Sequence, residues 1–532
     1  MTHTVTNQPP PLDTGDAYQA NRALRDAVDR YGAAWADDDL SRLGVVSASQ
    51  EAAEWGRLAE ANRPVLHSHD RYGHRVDRVE YHPAYHELMR TAVGHGLHAA
   101  PWADEQRGSH VARAAKFIVW TPVDYGHSCP ISMTHAVVPA LRHAPDLAAE
   151  WEPRLVSLSY DRTDGPVDAK AGVIAGMAMT EKQGGSDVRT NTTTAVPSSD
   201  GSYAITGHKW FCSAPMSDMF LTLAQAPEGL TCFLMPRWLP DGTRNPIRIM
   251  RLKDKLGDRS NASSEIEMEG VVGWRVGDEG AGVKTIIEMV NRTRLDCALG
   301  AAAQMRHGVV EAVHHSRHRS AFGKDLVEQP LMRRVLGDLA LESEAATAAA
   351  MCLADALDRE DHMLSRMLTP VVKYWLAKRT PGHAAEALEV LGGAGYVEES
   401  GVPRLFRQSP LNGIWEGSGN VICLDVLRVM RSSPEAVDAF FAEVEAAAGS
   451  NAAFDAAAGR ARHDLAGVEE ATARRFVERV AVLLQASLLL RHAPAGIGDA
   501  FVGARVTDPG VAYGAAATDA PTDVLLDRVL PT

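Results

Sequence analysis

The sequence predicts an α+β fold in which a helical domain is followed by a compact β domain and then by a helical bundle carrying an extra helical segment. Three observations predict it. Apolar residues recur at helical spacing from about Asp16 to Asp161. Between roughly Gly172 and Trp274 that period gives way to short β-branched runs separated by turn dipeptides. From Gly280 the helical period returns in long Ala- and Leu-rich segments. With 532 residues, 45% of them hydrophobic, the chain is long enough for about three domains of ordinary size, each with its own core.

Residues 1–15 are a polar, proline-rich tail without a basic or apolar leader segment, so they are not read as a secretory signal. Residues 16–171 form the helical domain, exemplified by Val111-Ala-Arg-Ala-Ala-Lys-Phe-Ile-Val-Trp120. Residues 172–276 form the β domain, whose strands include Phe220-Leu-Thr-Leu-Ala and Thr231-Cys-Phe-Leu-Met, with Asp200-Gly201 and Asp241-Gly242 as turns. Residues 277–432 read as an antiparallel bundle, with Val335–Leu357 and Pro370–Leu391 as its long apolar segments. The remainder, 433–532, continues in helical style to about residue 492 and ends in a partly irregular tail rich in Ala, Gly, Pro, Asp and Thr.

Charge and composition narrow the function classes. A net charge of −14, from 54 Lys and Arg against 68 Asp and Glu, repels polyanions unless a local basic face exists. Six scattered cysteines with no Cys-x-x-Cys pair fit neither a disulfide framework nor a zinc site, and point to a reducing, cytoplasmic setting. The richest apolar run, Val480–Leu490, is too short to span a membrane, so no membrane partner is expected. His82 and His86, and likewise His314 and His318, stand four apart on predicted helices. Among 21 histidines such pairs arise by chance and no third ligand lies near, so no metal is assigned.

Three stretches carry chemistry. In Met177-Ala-Met-Thr-Glu-Lys-Gln-Gly-Gly-Ser-Asp187, Gly184 and Gly185 let the backbone approach a ligand and expose N–H groups beside hydroxyls, which suits a phosphate or the edge of a planar ring. A plain Gly-Gly loop is the alternative. In Gly207-His-Lys-Trp-Phe-Cys-Ser213, strand alternation puts Phe211 and Ser213 on one face, an apolar plate beside a hydrogen-bonding group, although core packing explains such a pattern equally. In Glu389-Val-Leu-Gly-Gly-Ala-Gly395 and Ile414-Trp-Glu-Gly-Ser-Gly-Asn420, a Gly-rich turn leads toward an acid flanked by Trp415 and Gly417. A carboxylate against an aromatic wall suits a general base; a helix cap or ion-pair partner is the structural alternative.

In this order on a helix–sheet–helix chain, the three stretches resemble the acyl-CoA dehydrogenase superfamily. Leu256-Gly-Asp-Arg-Ser-Asn-Ala-Ser, Gly277-Asp-Glu-Gly-Ala-Gly and Arg319-Ser-Ala-Phe-Gly-Lys-Asp-Leu extend the match over nearly the whole chain. His208-Lys-Trp-Phe, Arg251-Leu-Lys-Asp-Lys-Leu-Gly and Cys423-Leu-Asp-Val-Leu-Arg-Val place it in the AidB-like, alkylation-response subgroup, which also accounts for the extra C-terminal segment. The resemblance implies a central β-barrel, a C-terminal four-helix bundle, a homotetramer, and FAD bound noncovalently between the β domain and the bundle. It places Thr180 at the flavin's pyrimidine edge, Ser186 at the pyrophosphate, and Phe211 with Ser213 at the ring face and N5 side. Met177, Met179, Gly185 and Cys212 would complete that side. Arg319, Phe322, Gly392, Gly393, Ile414, Trp415, Gly417, Ser418 and Asn420 would complete the pocket. Glu416 would take the α-proton of an acyl compound such as an acyl-CoA while the β-hydride leaves to the flavin.

Departures from the family pattern fall at the adenosine end of the cofactor: Glu389 stands before the Gly-Gly pair where a glutamine is usual, Gln329-Pro330 follows Phe322-Gly323, and Gln408 follows Arg407 where an acid is expected. The earlier position used for the base by some relatives is Thr293, leaving Glu416 without a substitute. The subgroup also brings DNA as a partner, through the C-terminal region. Yet residues 441–532 hold eight Lys or Arg against twelve Asp or Glu, so the segment as a whole is no phosphate-binding surface. A narrower stripe through Arg460, Arg462, Arg474, Arg475 and Arg479, or Arg428 and Arg431, is the remaining route to DNA. A third reading keeps the flavin but makes the chain an oxidase or monooxygenase on a substrate other than acyl-CoA.

Overall fold

The computed structural model describes residues 2–516 and 519–531. Two compact units form, each from separated stretches: Gln50–Glu105 with Val123–Thr293, and Met1–Ser49 with Gln106–Pro122 and Arg294–Thr532. The helical block 16–171 is therefore divided between them. Helix Ser109–Trp120 explains the division: all but His110 of its residues are buried, and a helix apolar nearly all round must be enclosed by neighbours. Its buried Arg113 pairs with Asp296, and Lys116 reaches Asp39 at 2.5 Å, both on stretches distant in sequence. Apolar spacing identifies such a helix without revealing what encloses it.

The first unit contains helices Gln50–Ala61, Pro83–Gly94, Ser128–Leu141 and Pro145–Leu155 and a hairpin of β1 (Val65–His69) and β2 (Arg75–Glu80). Its sheet comprises β3 (Ala175–Ala178), β4 (Thr194–Pro197), β5 (Tyr203–Ser213), β6 (Met219–Ala226), β7 (Gly229–Pro236), β8 (Ile247–Leu252) and β9 (Ser263–Val276). Pairing runs β6–β4–β5–β9–β7 and returns from β7 to β6, closing a barrel, with β3 added parallel to β6 and β8 antiparallel to β9. Ile205, Phe220, Phe233, Met235, Ile249 and Ile266 fill it, and Leu66 and Val79 tie the hairpin to the same core. The β5–β9 register slips between Lys209 and Cys212, so both of these side chains turn inward while Phe211 faces out.

The second unit contains the long helices Pro330–Asp358 and His362–Val390, helix Gly419–Ser432, and the part of helix Gly282–His318 from Arg294 onward. Helix Pro330–Asp358 packs against Ser109–Trp120, His362–Val390, Ala473–His492 and Thr522–Val529. The C-terminal tail is only partly irregular. Thr522–Val529 is an amphipathic helix burying Leu525, Leu526 and Val529, with Arg528 bonded to Glu344 and Asp26. Among the described residues no helix is long and apolar enough to cross a membrane.

Candidate active site

In the barrel unit the first two sequence stretches meet. The main-chain N–H of Trp210 donates to Thr180 O at 2.7 Å, and the N–H of Lys182 donates to His208 Nε2 at 3.0 Å. Beneath them Glu181 is fully buried. It accepts from Thr192 N (2.7 Å), Thr193 N (3.1 Å), Gln183 Nε2 (3.0 Å) and Lys209 Nζ (3.0 Å), the lysine also fully buried. Burial alone would raise the carboxyl's pKa, but the bonds from the threonines and Gln183 and the charge of Lys209 outweigh it and hold Glu181 well below the usual range. A buried, saturated ion pair thus fixes the base of the loop 180–186 and leaves its rim open, with Gly185 and Ser186 exposed. A Cβ at Gly185 would lie 2.5 Å from Thr180 Oγ1, so only glycine leaves this ledge of bare main chain beside the threonine. Met177 and Met179 are half-buried at the same end of β3. Phe211 is 48% exposed, and Ser213 Oγ lies 3.3 Å from Ser263 Oγ. Cys212 turns into the barrel core and is fully buried, which pushes its thiol up to about 12.

In the bundle unit the run Ile414–Asn420 is a tight turn joining a short helical turn to helix Gly419–Ser432. Glu416 has φ +57°, a left-handed conformation that a non-glycine residue adopts at a cost of about 1–2 kcal/mol. Its neighbours explain how the turn persists. Lys373, a buried residue of helix His362–Val390, donates from Nζ to Trp415 O at 2.9 Å and Gly417 O at 2.5 Å. Arg294 Nε donates to Glu416 O at 3.1 Å while its Nη1 binds Asp425 at 2.8 Å. Three successive carbonyls around the acid are therefore held by two cations. The Trp415 indole donates to Asn412 Oδ1 (2.9 Å), and Arg474 donates to Asn420 Oδ1 (2.8 Å). Burial lowers the pKa of Lys373, which the charges of Cys297 and Glu416 partly offset; burial pushes the Cys297 thiol up to about 12.

Comparison with known proteins decides the family. Residues 7–162 match the adaptive response protein AidB N-terminal domain, 176–271 the acyl-CoA dehydrogenase middle domain, and 280–431 the acyl-CoA dehydrogenase C-terminal domain. AidB of Escherichia coli (strain K12) is 45% identical over 502 residues, covering 93% of this chain and 92% of that protein. This chain belongs to the AidB branch of the acyl-CoA dehydrogenase family. Acyl-CoA dehydrogenase family member 11 of Caenorhabditis elegans is 32% identical over 76% of this chain and 69% of its own length. The structure of Caenorhabditis elegans ACDH-11 in complex with C11-CoA superposes with TM-score 0.86 at 26% identity, covering 99% of this chain and 93% of that one.

As an acyl-CoA dehydrogenase family member the chain is a flavoprotein oxidoreductase that takes FAD. The residues present fit that group: an exposed aromatic plate at Phe211 stands beside a hydroxyl, and an exposed main-chain ledge at Gly185–Ser186 has no room for a Cβ. Two groups of the expected pocket lie outside these clusters. Arg319 and Phe322 belong to a small hairpin in which Phe322 is fully exposed and Arg319 donates to Asn7 O at 2.5 Å. Gly392 and Gly393 sit exposed on the turn Gly392–Tyr396. His82 caps its helix, His86 contacts Tyr160 Oη at 2.9 Å, and His314 contacts Pro10 O at 2.8 Å. Among the described residues no cluster of three His, Cys, Asp or Glu is placed to hold a metal.

Of the seven arginines considered for DNA three are ion-paired, Arg462 with Asp438 and Glu445, Arg479 with Asp464 and Arg428 with Asp425. What the sequence reading missed are the cations that fix the chemistry-bearing loops. Their signal was available: Lys373 interrupts the apolar run Pro370-Val-Val-Lys-Tyr-Trp-Leu, and a lysine there must find buried acceptors.

Proposed function

We propose that the chain catalyses α,β-dehydrogenation of an acyl thioester, an acyl-CoA being the substrate class, with Glu416 removing the α-proton. The observation that carries this reading is the fixation of Glu416: its main chain is held in a left-handed conformation by the Lys373 and Arg294 bonds to three consecutive carbonyls. A base on such a turn has only its own side-chain torsions left to search, which keeps its carboxylate within reach of a bound substrate's proton. FAD, when bound, supplies the two-electron acceptor for the reaction. Thr180, Ser186, Phe211 and Ser213, with Met177, Met179 and Gly185, would hold it from the barrel unit. Ile414, Trp415, Gly417, Ser418 and Asn420, with Arg319, Phe322, Gly392 and Gly393, would do so from the bundle unit. The C. elegans relative solved with C11-CoA supports the choice of thioester.

The test is anaerobic titration of the FAD-loaded protein with acyl-CoAs of graded chain length. The wild-type flavin band should bleach, and Glu416→Gln should keep FAD while bleaching at least ~100-fold more slowly, as loss of a positioned base requires. A flavin that no acyl-CoA bleaches, or a fully active Glu416→Gln, refutes the reading.

A further inference from the structure

A cavity of about 500 Å³ opens in the barrel unit where the β1–β2 hairpin meets the segment between β7 and β8. Strand pairing decides which side chains it receives. His67 pairs with Arg78, so both project from the face opposite to Leu66 and Val79, which enter the core. The other wall is Trp238 and Arg244, linked by a backbone bridge. Three guanidinium groups, Arg71, Arg78 and Arg244, thus border one cavity on a protein whose net charge is −14.

Asp70 and Asp164, the two carboxylates lining the cavity, are engaged by donors other than Arg71, Arg78 and Arg244. Asp70 accepts from the N–H groups of Tyr72 (2.8 Å) and His74 (2.9 Å) and from the His74 ring (3.1 Å). Asp164 accepts from Arg237 (3.1 and 3.2 Å) and from the Trp238 indole N–H (2.6 Å). Arg244 is partly engaged: its Nη2 donates to Asp77 O at 3.3 Å and lies 3.6 Å from the Asp77 carboxylate, which also accepts from Arg75 (2.9 Å) and Ile249 N (3.1 Å). Arg71 stacks 4.5 Å over the exposed ring of Tyr72. The exposed guanidinium of Arg78 has no ion pair or side-chain hydrogen bond among the described residues. Guanidinium groups bind phosphate oxygens through paired N–H donors, and a tethered indole offers a plate for a flat ring. The volume falls in the range of small-molecule sites.

We propose that this cavity binds a purine nucleoside phosphate, its phosphates on Arg78 and Arg244 and its base against Trp238. The site is separate from the reading of Glu416 and stands or falls without it. The same chemistry comes from a free nucleotide or from the nucleotide end of a coenzyme A thioester. The test uses protein saturated with FAD, so that the flavin site is closed to the probe, and follows the fluorescence anisotropy of N-methylanthraniloyl-ADP. Saturable binding should be displaced by ADP, far less by adenosine or inorganic phosphate alone, and weakened roughly tenfold or more by Arg78→Glu, a reversal of one phosphate contact. Displacement by CoA as well as ADP assigns the site to the CoA nucleotide, and displacement by ADP without CoA assigns it to a free nucleotide. Absence of saturable binding, or binding indifferent to both Arg78→Glu and Trp238→Phe, overturns the proposal.

Discussion

Lys373→Met is the sharpest perturbation of the base-bearing turn. The substitution keeps an apolar stem of similar length in the buried channel and removes the ammonium that holds Trp415 O at 2.9 Å and Gly417 O at 2.5 Å. Charge-assisted bonds contribute about 1.5–3 kcal/mol each, and two carbonyls lose a partner, against which the cost of burying the lysine must be set. A net loss of about 3 kcal/mol in the preference for this turn is the working figure. The left-handed Glu416 adds a further push, since relaxing its φ recovers about 1–2 kcal/mol. With every 1.36 kcal/mol worth tenfold, the combined change of about 4–5 kcal/mol lowers the fraction of molecules presenting the carboxylate correctly about 1,000-fold or more. Stopped-flow bleaching of the flavin by an acyl-CoA should slow by that order, with a much smaller change in the substrate concentration giving half-maximal rate. In a Glu416→Gln background the same substitution should add almost nothing, because the group it positions is gone. A Lys373→Met protein that folds and reduces its flavin within twofold of the wild-type rate refutes the argument.

Three further outcomes follow from the site and its supports. Gly185→Ala puts a methyl group 2.5 Å from Thr180 Oγ1, so FAD dissociation measured by fluorescence recovery should rise well before thermal stability falls. Burial raises Glu311 to about 7, so its contribution to stability is full below the ordinary carboxylate range and is lost as pH rises toward 7; Glu311→Gln should raise Tm at pH 8, by up to about 3 kcal/mol of stability, and leave it unchanged near pH 4. Glu342 shows the opposite sign: burial would raise it, but the charges of Arg379 and Arg505 bring it down to about 2, so its contribution is present above about pH 4.5 and lost as pH falls through 2. Glu342→Gln should therefore lower stability by about 3 kcal/mol at pH 7 in urea titrations, with the gap closing toward pH 2.

The order of helical, strand and helical blocks was legible because it rests on local periodicity, whereas strand alternation put Phe211 and Ser213 on one face without deciding whether that face is buried. The division of residues 16–171 between two units was not legible, since helix Ser109–Trp120 is buried nearly all round and the partners of its Arg113 and Lys116, Asp296 and Asp39, lie far away in sequence. Glu416 stood out by its neighbours Trp415 and Gly417, but the groups that fix it come from residues 294 and 373, and no local pattern links those positions. Cys212 was expected at the cofactor as part of a contiguous stretch; a register slip in β5 sends its side chain into the core instead.

The departures at the adenosine end acquire a physical meaning from the same reasoning. Gln329, at the place where a cofactor-binding glutamine is usual, donates from Nε2 to Ala321 O at 2.9 Å and so holds the small hairpin that presents Phe322. Glu389 is exposed at the end of its helix, and Gln408 is buried, where the acid usual at that position would have to be paired. Neither of the two changed positions, 389 and 408, lies in the barrel ledge at Gly185 or in the turn at Glu416. Lys373 and Arg294, the latter also bound to Asp425, hold the main chain around Glu416 from positions other than these. Restoring glutamine at position 389 should accordingly change FAD affinity and leave the rate of flavin reduction in the saturated protein untouched.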